Sequence, residues 1–371
     1  MKAELSALDL QKAVSFVLPS INKRSPKAVL TCILLEFGAN GRCRVRGGGA
    51  EGSASSEIPC ESKSDFSVLV DAEKLRRIAA ECADRVEVTD GKTIAIKSGG
   101  SKWKLGAQNP QDYPPVDQVD GLMATVPSVP FRHALRLCAT STDSQSSRYA
   151  LSGVGMDWQD GDLTVFSTDG RQACVCAVSG CVPIVMDGVS IMSGEAIGAV
   201  EKLLDAEETV AVTFGANALA FENAGGRVVS RLLEGRMPKI RDVLSKGAVD
   251  CFRVNIDRLG EAIRKTLIVV ESHGNSAAMD IHVDGESLRA SAPDSEYLGG
   301  DSTIQIESKA GYQLSLRLDA VRFRDWLRAA GGVGELLSAG QKSPTSALFG
   351  FLDGDRVNCK YVLMPMVREG V

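Results

Sequence analysis

The chain has 371 residues, 44% hydrophobic and 24% charged, which is apolar content for several cores and a length that suits two or three domains. No uncharged apolar run approaches the roughly 20 residues that span a bilayer, and Met1-Lys2-Ala3-Glu4 carries a helical signal and an acid rather than an export signal, so a soluble cytoplasmic protein is expected. A net charge of -5 excludes general adhesion to nucleic acid but permits one basic face.

Taken in chain order, the first third predicts a helix over Asp9–Ile21, a strand over Val29–Phe37, a turn at Asn40-Gly41 and a strand over Cys43–Arg46. A second set follows, with a strand over Phe66–Val70, a helix over Ala72–Ala83, and strands over Val86–Val88, Thr93–Lys97 and Lys102–Leu105. Gln108–Asp120, rich in Pro, Asp and Gln, reads as a linker leaving a sheet. The middle third repeats the scheme: a strand from Val126, a helix over Phe131–Ala139, a strand over Ala150–Trp158, Asp160-Gly161, and a strand ending at Thr168-Asp169. Its second set runs through Val189–Met192, a helix over Gly194–Leu204, and strands over Val210–Phe214, Ala218–Glu222 and Arg227–Leu233, before a second joint at Glu234–Lys246. The last third has a strand over Cys251–Ile256, a helix over Asp257–Leu267, a strand over Ala278–Val283, Asp284-Gly285 and a strand to Asp294. It ends with Tyr312–Leu318, a helix over Asp319–Ala330, and strands over Ser346–Leu352, Arg356–Cys359 and Tyr361–Met364.

The turns at Gly41, Gly161 and Gly285 recur at about a third of the chain length, the mark of an internal repeat. The expectation is an α+β protein of three similar domains, 1–124, 125–249 and 250–371, each made of two βα-plus-hairpin halves. The helices show apolar stripes, for example Leu75, Ile78, Ala79 and Cys82, with basic residues off the stripe. Lys74, Arg76 and Arg77, then Arg132, His133 and Arg136, then Arg258, Arg264 and Lys265, then Arg322, Arg324 and Arg328 are expected to be exposed; the Gly194 helix has no such face. One charged helix face is ordinarily just solvated, but equivalent faces on most helices suit a basic track for phosphates.

The 10 cysteines are scattered, mostly in apolar runs, and read as reduced core residues. Cys174-Val-Cys176 with Cys181 lacks a second paired half and a nearby His, so strand residues facing a core are preferred over a metal site. Neither a metal nor any other cofactor is expected. His133, His273 and His282 are isolated, and no Walker lysine follows Gly47-Gly48-Gly49, so a hydrolase or nucleotide-cleaving enzyme is not supported.

Four segments, in order, resemble the bacterial DNA polymerase III beta subunit, or sliding clamp, family. They are Arg148-Tyr149-Ala150-Leu151-Ser152-Gly153-Val154, Phe166-Ser167-Thr168-Asp169-Gly170, the run from Ser230 to Pro238, and Tyr361-Val362-Leu363-Met364-Pro365-Met366. The resemblance implies a DNA clamp fold: a homodimeric ring with helices lining the hole and antiparallel sheets outside. It implies a non-catalytic processivity factor that encircles duplex DNA, is opened by clamp-loader subunits, and tethers the DNA polymerase III alpha subunit and other motif-bearing clients. A clamp-shaped interaction protein with a specialised client, or without DNA loading, is the alternative.

By match to family positions, Arg24, Lys97, Gln145 and Tyr149 are DNA-facing candidates, joined by Arg264 and Arg324 from the basic helix faces. A partner-peptide cleft is implied at Arg148, Leu151, Thr168, Gly170, Arg171, Ala173, Pro238, Val243, Val362, Met364, Pro365 and Met366. The chain departs from the family at Arg171-Gln172-Ala173, where Gln172 is expected to remove a charge at the cleft rim and Ala173 to deepen or loosen the cleft. Closure of a ring is expected to use Leu105 on an edge strand of the first domain and Val269 and Val270 beyond the first helix of the third.

Overall fold

The computed structural model describes residues 1–23, 25–49, 51–115, 118–143, 149–159, 162–182, 188–205, 207–238, 240, 249–270, 277–293, 299–331, 335–340, 347–353 and 357–366. Side chains at 149, 159, 162, 249–251, 335–340, 347–353 and 357 are outside the description. Six α-helices lie among the described residues: α1 (Ala7–Val17), α2 (Ala72–Glu81), α3 (Ser128–Ala139), α4 (Ile197–Leu204), α5 (Ile256–Thr266) and α6 (Ala320–Ala330). Each follows one strand and precedes three, so the chain is six copies of a βαβββ unit, with a two-residue strand, Glu307–Ser308, as an addition.

Four of the helices, α1, α2, α5 and α6, begin where a short polar side chain takes up orphan backbone N–H groups. Ser6 accepts from the Asp9 amide at 3.3 Å, Asp71 from Lys74 at 2.8 Å, and Asn255 from Arg258 at 3.0 Å. Asp319 accepts from Val321 at 3.1 Å and Arg322 at 3.3 Å. The expected stripes are buried, among them Leu75, Ile78 and Ala79 on α2 and Phe323, Trp326 and Leu327 on α6. Gly41 and Gly285 sit at φ +82° and +56°, where a side chain would be strained, which is why the turn signals at both fell on glycine.

The N-terminus departs from expectation. Lys2–Ser6 is a strand, not the start of a helix. Ala3 and Leu5 point inward in strict alternation, and antiparallel pairing with Gly52–Ser62 on one side and Arg85–Thr89 on the other takes up the backbone. In the first and last thirds the last strand of the first half, Gly52–Ser62 and Asp301–Gln305, was not predicted as an element; in the middle third Gln172–Val178 carries the Cys174-Val-Cys176 residues expected in a strand. Arg356–Cys359 and Tyr361–Met364, predicted as two strands, form one, Val357–Leu363.

Contacts divide the chain into two compact units, Met1–Ser128 with Glu195–Leu232, and Val129–Gly194 with Leu233–Val371. The middle third contributes to both, because its sheets are shared with the outer thirds. In each third, the first strand of one half pairs with the second strand of the other half: Lys2–Ser6 with Arg85–Thr89, Gly153–Gln159 with Val189–Ser193, Ala278–Asp284 with Gln313–Asp319. The last strands pair across thirds. Gly52–Ser62 joins Gly226–Arg231 in the first unit, and Gln172–Val178 joins Val357–Leu363 in the second. All described pairings are antiparallel.

The first unit buries Leu10, Ile33, Leu35, Leu69, Leu75 and Ile94 between its helices and sheet. The Gln108–Asp120 segment is fastened to it: the Tyr113 hydroxyl donates to the Cys32 carbonyl at 3.4 Å and the Arg46 guanidinium to the Pro114 carbonyl at 2.8 Å. The second unit is centred on Trp326, stacked on Tyr361 with ring centroids 4.3 Å apart. Replacing Asp71 with Ala removes the α2 cap and should lower stability by about 1 kcal/mol, read as an earlier urea transition of the first unit; an unchanged transition would show that the cap contributes nothing.

Candidate peptide cleft and nucleic-acid-facing residues

Strand Gln172–Val178 presents alternate residues to opposite faces. On one face Ala173 packs with Phe166, Ile240 and Val362 in an apolar cluster, with Val175 and Met237 partly buried against it. The register Ala173↔Val362 and Phe166↔Val175 sets these side chains side by side. Met364, 52% exposed, projects at the end of the neighbouring strand, its amide bonded to the Arg171 carbonyl at 2.8 Å. Pro365 and Met366 are half-buried, and the Met366 amide bonds the Arg317 carbonyl at 2.7 Å. Pro238 is exposed and Leu151 half-buried. Phe166, Val175, Met237 and Ile240 belong to this surface although the sequence reading did not assign them to it; the period-2 alternation with Ala173 was the available signal for Val175.

The turn beside the cleft is held by its own side chains. Thr168 donates to the Gln172 carbonyl at 2.6 Å and accepts the Gly170 amide at 3.0 Å; Gly170 has φ +85°. One Asp169 oxygen accepts the Arg171 and Gln172 amides at 2.8 Å each, and the other takes Arg322 Nε at 2.9 Å. Arg171 is exposed at the turn.

Two expectations are corrected here. Gln172 does not sit at the rim: it is 4% exposed, with Nε2 donating to the Thr140 carbonyl at 2.8 Å and Oε1 accepting from the Tyr361 hydroxyl at 2.6 Å. It lies on the strand face opposite Ala173, so a buried carboxamide satisfies the network there. Arg322 is not an exposed member of a basic face. Its side chain is 21% exposed and bridges Asp169 and Asp319, because one helical turn brings it back over its own cap residue.

The remaining basic candidates differ from one another. Arg264 is exposed on α5 beside Arg258 and Lys265. Arg324 is partly buried and donates twice to Asp325. Arg136 and Arg328 are exposed. On α2, Arg76 and Arg77 both bind Glu73, whose carboxyl is pulled down to about 2, first by the Arg76 hydrogen bond. Lys97 lies on strand Thr93–Ser98 rather than on a helix, and binds Glu87 at 2.8 Å. Arg24, Gln145, Arg148 and Val243 lie outside the described residues, as does the Tyr149 side chain. Leu105 is half-buried on the edge strand Ser101–Gly106. Val269 is half-buried and packs close to Gly300, so it faces its own chain; Val270 is half-buried, and Ile268, at 77%, is the exposed residue of that run.

The sequence profile of the DNA polymerase III beta subunit N-terminal domain matches residues 1–117, and that of its central domain matches residues 125–239. The chain belongs to the DNA polymerase III beta subunit family. It is 22% identical to the beta sliding clamp of Haemophilus influenzae over 371 residues, covering 99% of this chain and 100% of that protein. It is 25% identical to the beta sliding clamp of Streptomyces coelicolor over 280 residues, or 73% of this chain and 74% of the relative. Among solved structures, the DNA polymerase III subunit beta of Pseudomonas aeruginosa superposes with a TM-score of 0.84 at 21% identity, covering 99% of this chain and 100% of that one. The beta subunit of Thermotoga maritima gives 0.86 at 14% identity, covering 99% of both. The chain thus shares the α+β fold of these beta subunits, and no helix among the described residues is long and apolar enough to cross a membrane.

Glu87 allows a pH test. Hydrogen bonds from Lys2 and then Lys97 pull its carboxyl down to about 2 from 4.5. A carboxylate with a lowered folded-state pKa stabilises the fold fully above its unfolded value, and that contribution is lost as pH falls from about 4.5 towards 2. NMR titration of Glu87 should give a midpoint near 2, moving up in Lys97→Ala; a midpoint at the ordinary glutamate value in the parent would show that neither Lys2 nor Lys97 holds the carboxylate.

Proposed function

We propose that this protein is a sliding clamp: two copies close into a ring around duplex DNA, with thirds 1–124, 125–249 and 250–371 as the clamp domains of each. The observation that carries the reading is the pairing rule of the last strands. Numbering the βαβββ units one to six, unit one pairs through its last strand with unit four, and unit three with unit six. Unit five, ending in Asp301–Gln305, and unit two, ending in Ser101–Gly106, are left as sheet edges. Continuing the same step across a twofold axis pairs these two edges between copies, twice, and leaves neither bare. Their chemistry supports the match: Lys102 and Lys104 are exposed on one edge, Asp301 on the other, with Trp103, Leu105 and Ile304 half-buried along them.

Retention on DNA then needs only topology plus weak, mobile phosphate contacts, which exposed arginines such as Arg258, Arg264 and Arg328 supply without reading sequence. The role is mechanical, and no step of catalysis is assigned. The Phe166–Ala173–Val362 surface with Met364 suits short apolar peptide anchors, since thioethers repack around varied ligands. The clients proposed for it are the DNA polymerase III alpha subunit and clamp-loader subunits, in the cytoplasm.

Loaded protein should stay on nicked circular DNA and run off linear DNA, and light scattering should give twice the chain mass. Leu105→Asp with Ile304→Asp should yield folded monomers that are not retained. Reversing Arg258, Arg264 and Arg328 to Glu should weaken retention and flatten its salt dependence. Equal loss from circular and linear DNA would favour a clamp-shaped interaction protein that does not load. Met364→Ala with Met366→Ala should weaken a clamp-binding peptide by about 1 kcal/mol or more, in a calorimetric titration; equal binding by parent and variant would remove these residues from the cleft.

A further inference from the structure

Four cysteines far apart in sequence meet in the core of the second unit. Cys174 and Cys176 lie on strand Gln172–Val178 and point away from the Ala173 face; Cys359 is the cross-strand partner of Cys176 on Val357–Leu363; Cys138 comes from the last turn of α3. Cys138, Cys174 and Cys176 are completely buried and Cys359 is 1% exposed. The sulfur separations are 3.9 Å for Cys138–Cys176, 3.9 Å for Cys174–Cys176 and 3.6 Å for Cys174–Cys359. The sulfurs of Cys138, Cys174 and Cys176 all lie within 4.8 Å of one another.

Zinc–thiolate bonds of about 2.3 Å place tetrahedral ligand sulfurs about 3.8 Å apart. Three of the six edges of a four-sulfur tetrahedron are measured and bracket that value; Cys359 stands outside the mutual 4.8 Å group and is tied to it through Cys174. The donor set is wholly thiolate, the set that selects thiophilic cations over the oxygen-seeking magnesium and calcium. Burial leaves no open coordination position for a substrate, so the site is of the closed, structural kind.

We propose that Cys138, Cys174, Cys176 and Cys359 hold one structural zinc ion, bound during folding. Each thiol gives up its proton as its sulfur binds the ion, with no change of oxidation state. The ion ties α3 to two strands that come from the middle and last thirds of the chain. It sits on the reverse face of the strand whose other face carries Ala173 and Val175, so it stiffens the floor of the apolar cleft. Cys181, half-buried with its thiol on the Val178 carbonyl at 3.4 Å, is outside the set. The site does not depend on the clamp reading.

The test is metal content of the full chain, denatured and refolded in reductant with zinc chloride and then dialysed. About one zinc per chain is expected in the parent and in Cys181→Ala, and close to none in Cys174→Ala with Cys176→Ala. Should the double variant fail to fold, the parent reconstituted with cobalt(II) decides alone: tetrahedral thiolate ligation gives intense sulfur-to-cobalt charge transfer and visible d–d bands. A folded, reduced parent that takes up neither zinc nor cobalt overturns the proposal and leaves the cluster as core packing. A Cys174–Cys359 disulfide in the freshly isolated protein overturns it as well.

Discussion

Antiparallel hydrogen bonding between strands of different repeats is the constraint on which the rest of this structure depends. A βαβββ unit cannot satisfy the edges of its own small sheet. The first and second strands are exchanged between the two halves of a third, and the last strands are exchanged between thirds. Sheets therefore cross the sequence repeat rather than respect it, which is why the compact units cut the middle third in two. The same constraint leaves Ser101–Gly106 and Asp301–Gln305 as edges of their sheets, and the reading of the chain as a closed dimer rests on it.

Strand Gln172–Val178 shows how much one such exchange carries. Its pairing with Val357–Leu363 sets Ala173 beside Val362 on one face and Cys176 beside Cys359 on the other. Side-chain alternation then separates a buried apolar cluster around Ala173 from a buried layer of thiols and a hydrogen-bonded Gln172–Tyr361 pair. The turn that opens the strand is locked by Asp169, and Arg322 ties that turn to α6. The shape of the proposed cleft is thus fixed from behind by buried groups.

Electrostatics follow a similar division. The protein is acidic overall, yet several helices carry exposed arginine. Part of that positive charge is taken up locally: Glu73 holds Arg76 and Arg77, Glu87 holds Lys2 and Lys97, and Asp169 and Asp319 hold Arg322. The exposed pairs at Glu73 and Glu87, unlike the mostly buried Arg322 bridge, contribute little to stability. They do decide which cations are available to a polyanion, and Arg258 and Arg264 are better placed than Lys97 or Arg322.

The sequence by itself determined the repeat, the helices and the glycine turns. Periodicity placed Leu75, Ile78 and Ala79 in the core, and Asp284-Gly285 marked a left-handed turn, because both signals arise from neighbours within a few residues. The resemblance carried by Thr168-Asp169-Gly170 and the run from Tyr361 to Met366 led to the family and to Ala173 and Val362 in one cluster. Local patterns misread Lys2–Ser6, Arg322 and Gln172, whose states are set by partners at positions 52–62, 169 and 361. The gathering of Cys138, Cys174, Cys176 and Cys359 had no local signature either. Only tertiary structure decided it, because it depends on register between strands some 180 residues apart, set by the summed burial and hydrogen bonding of whole sheets.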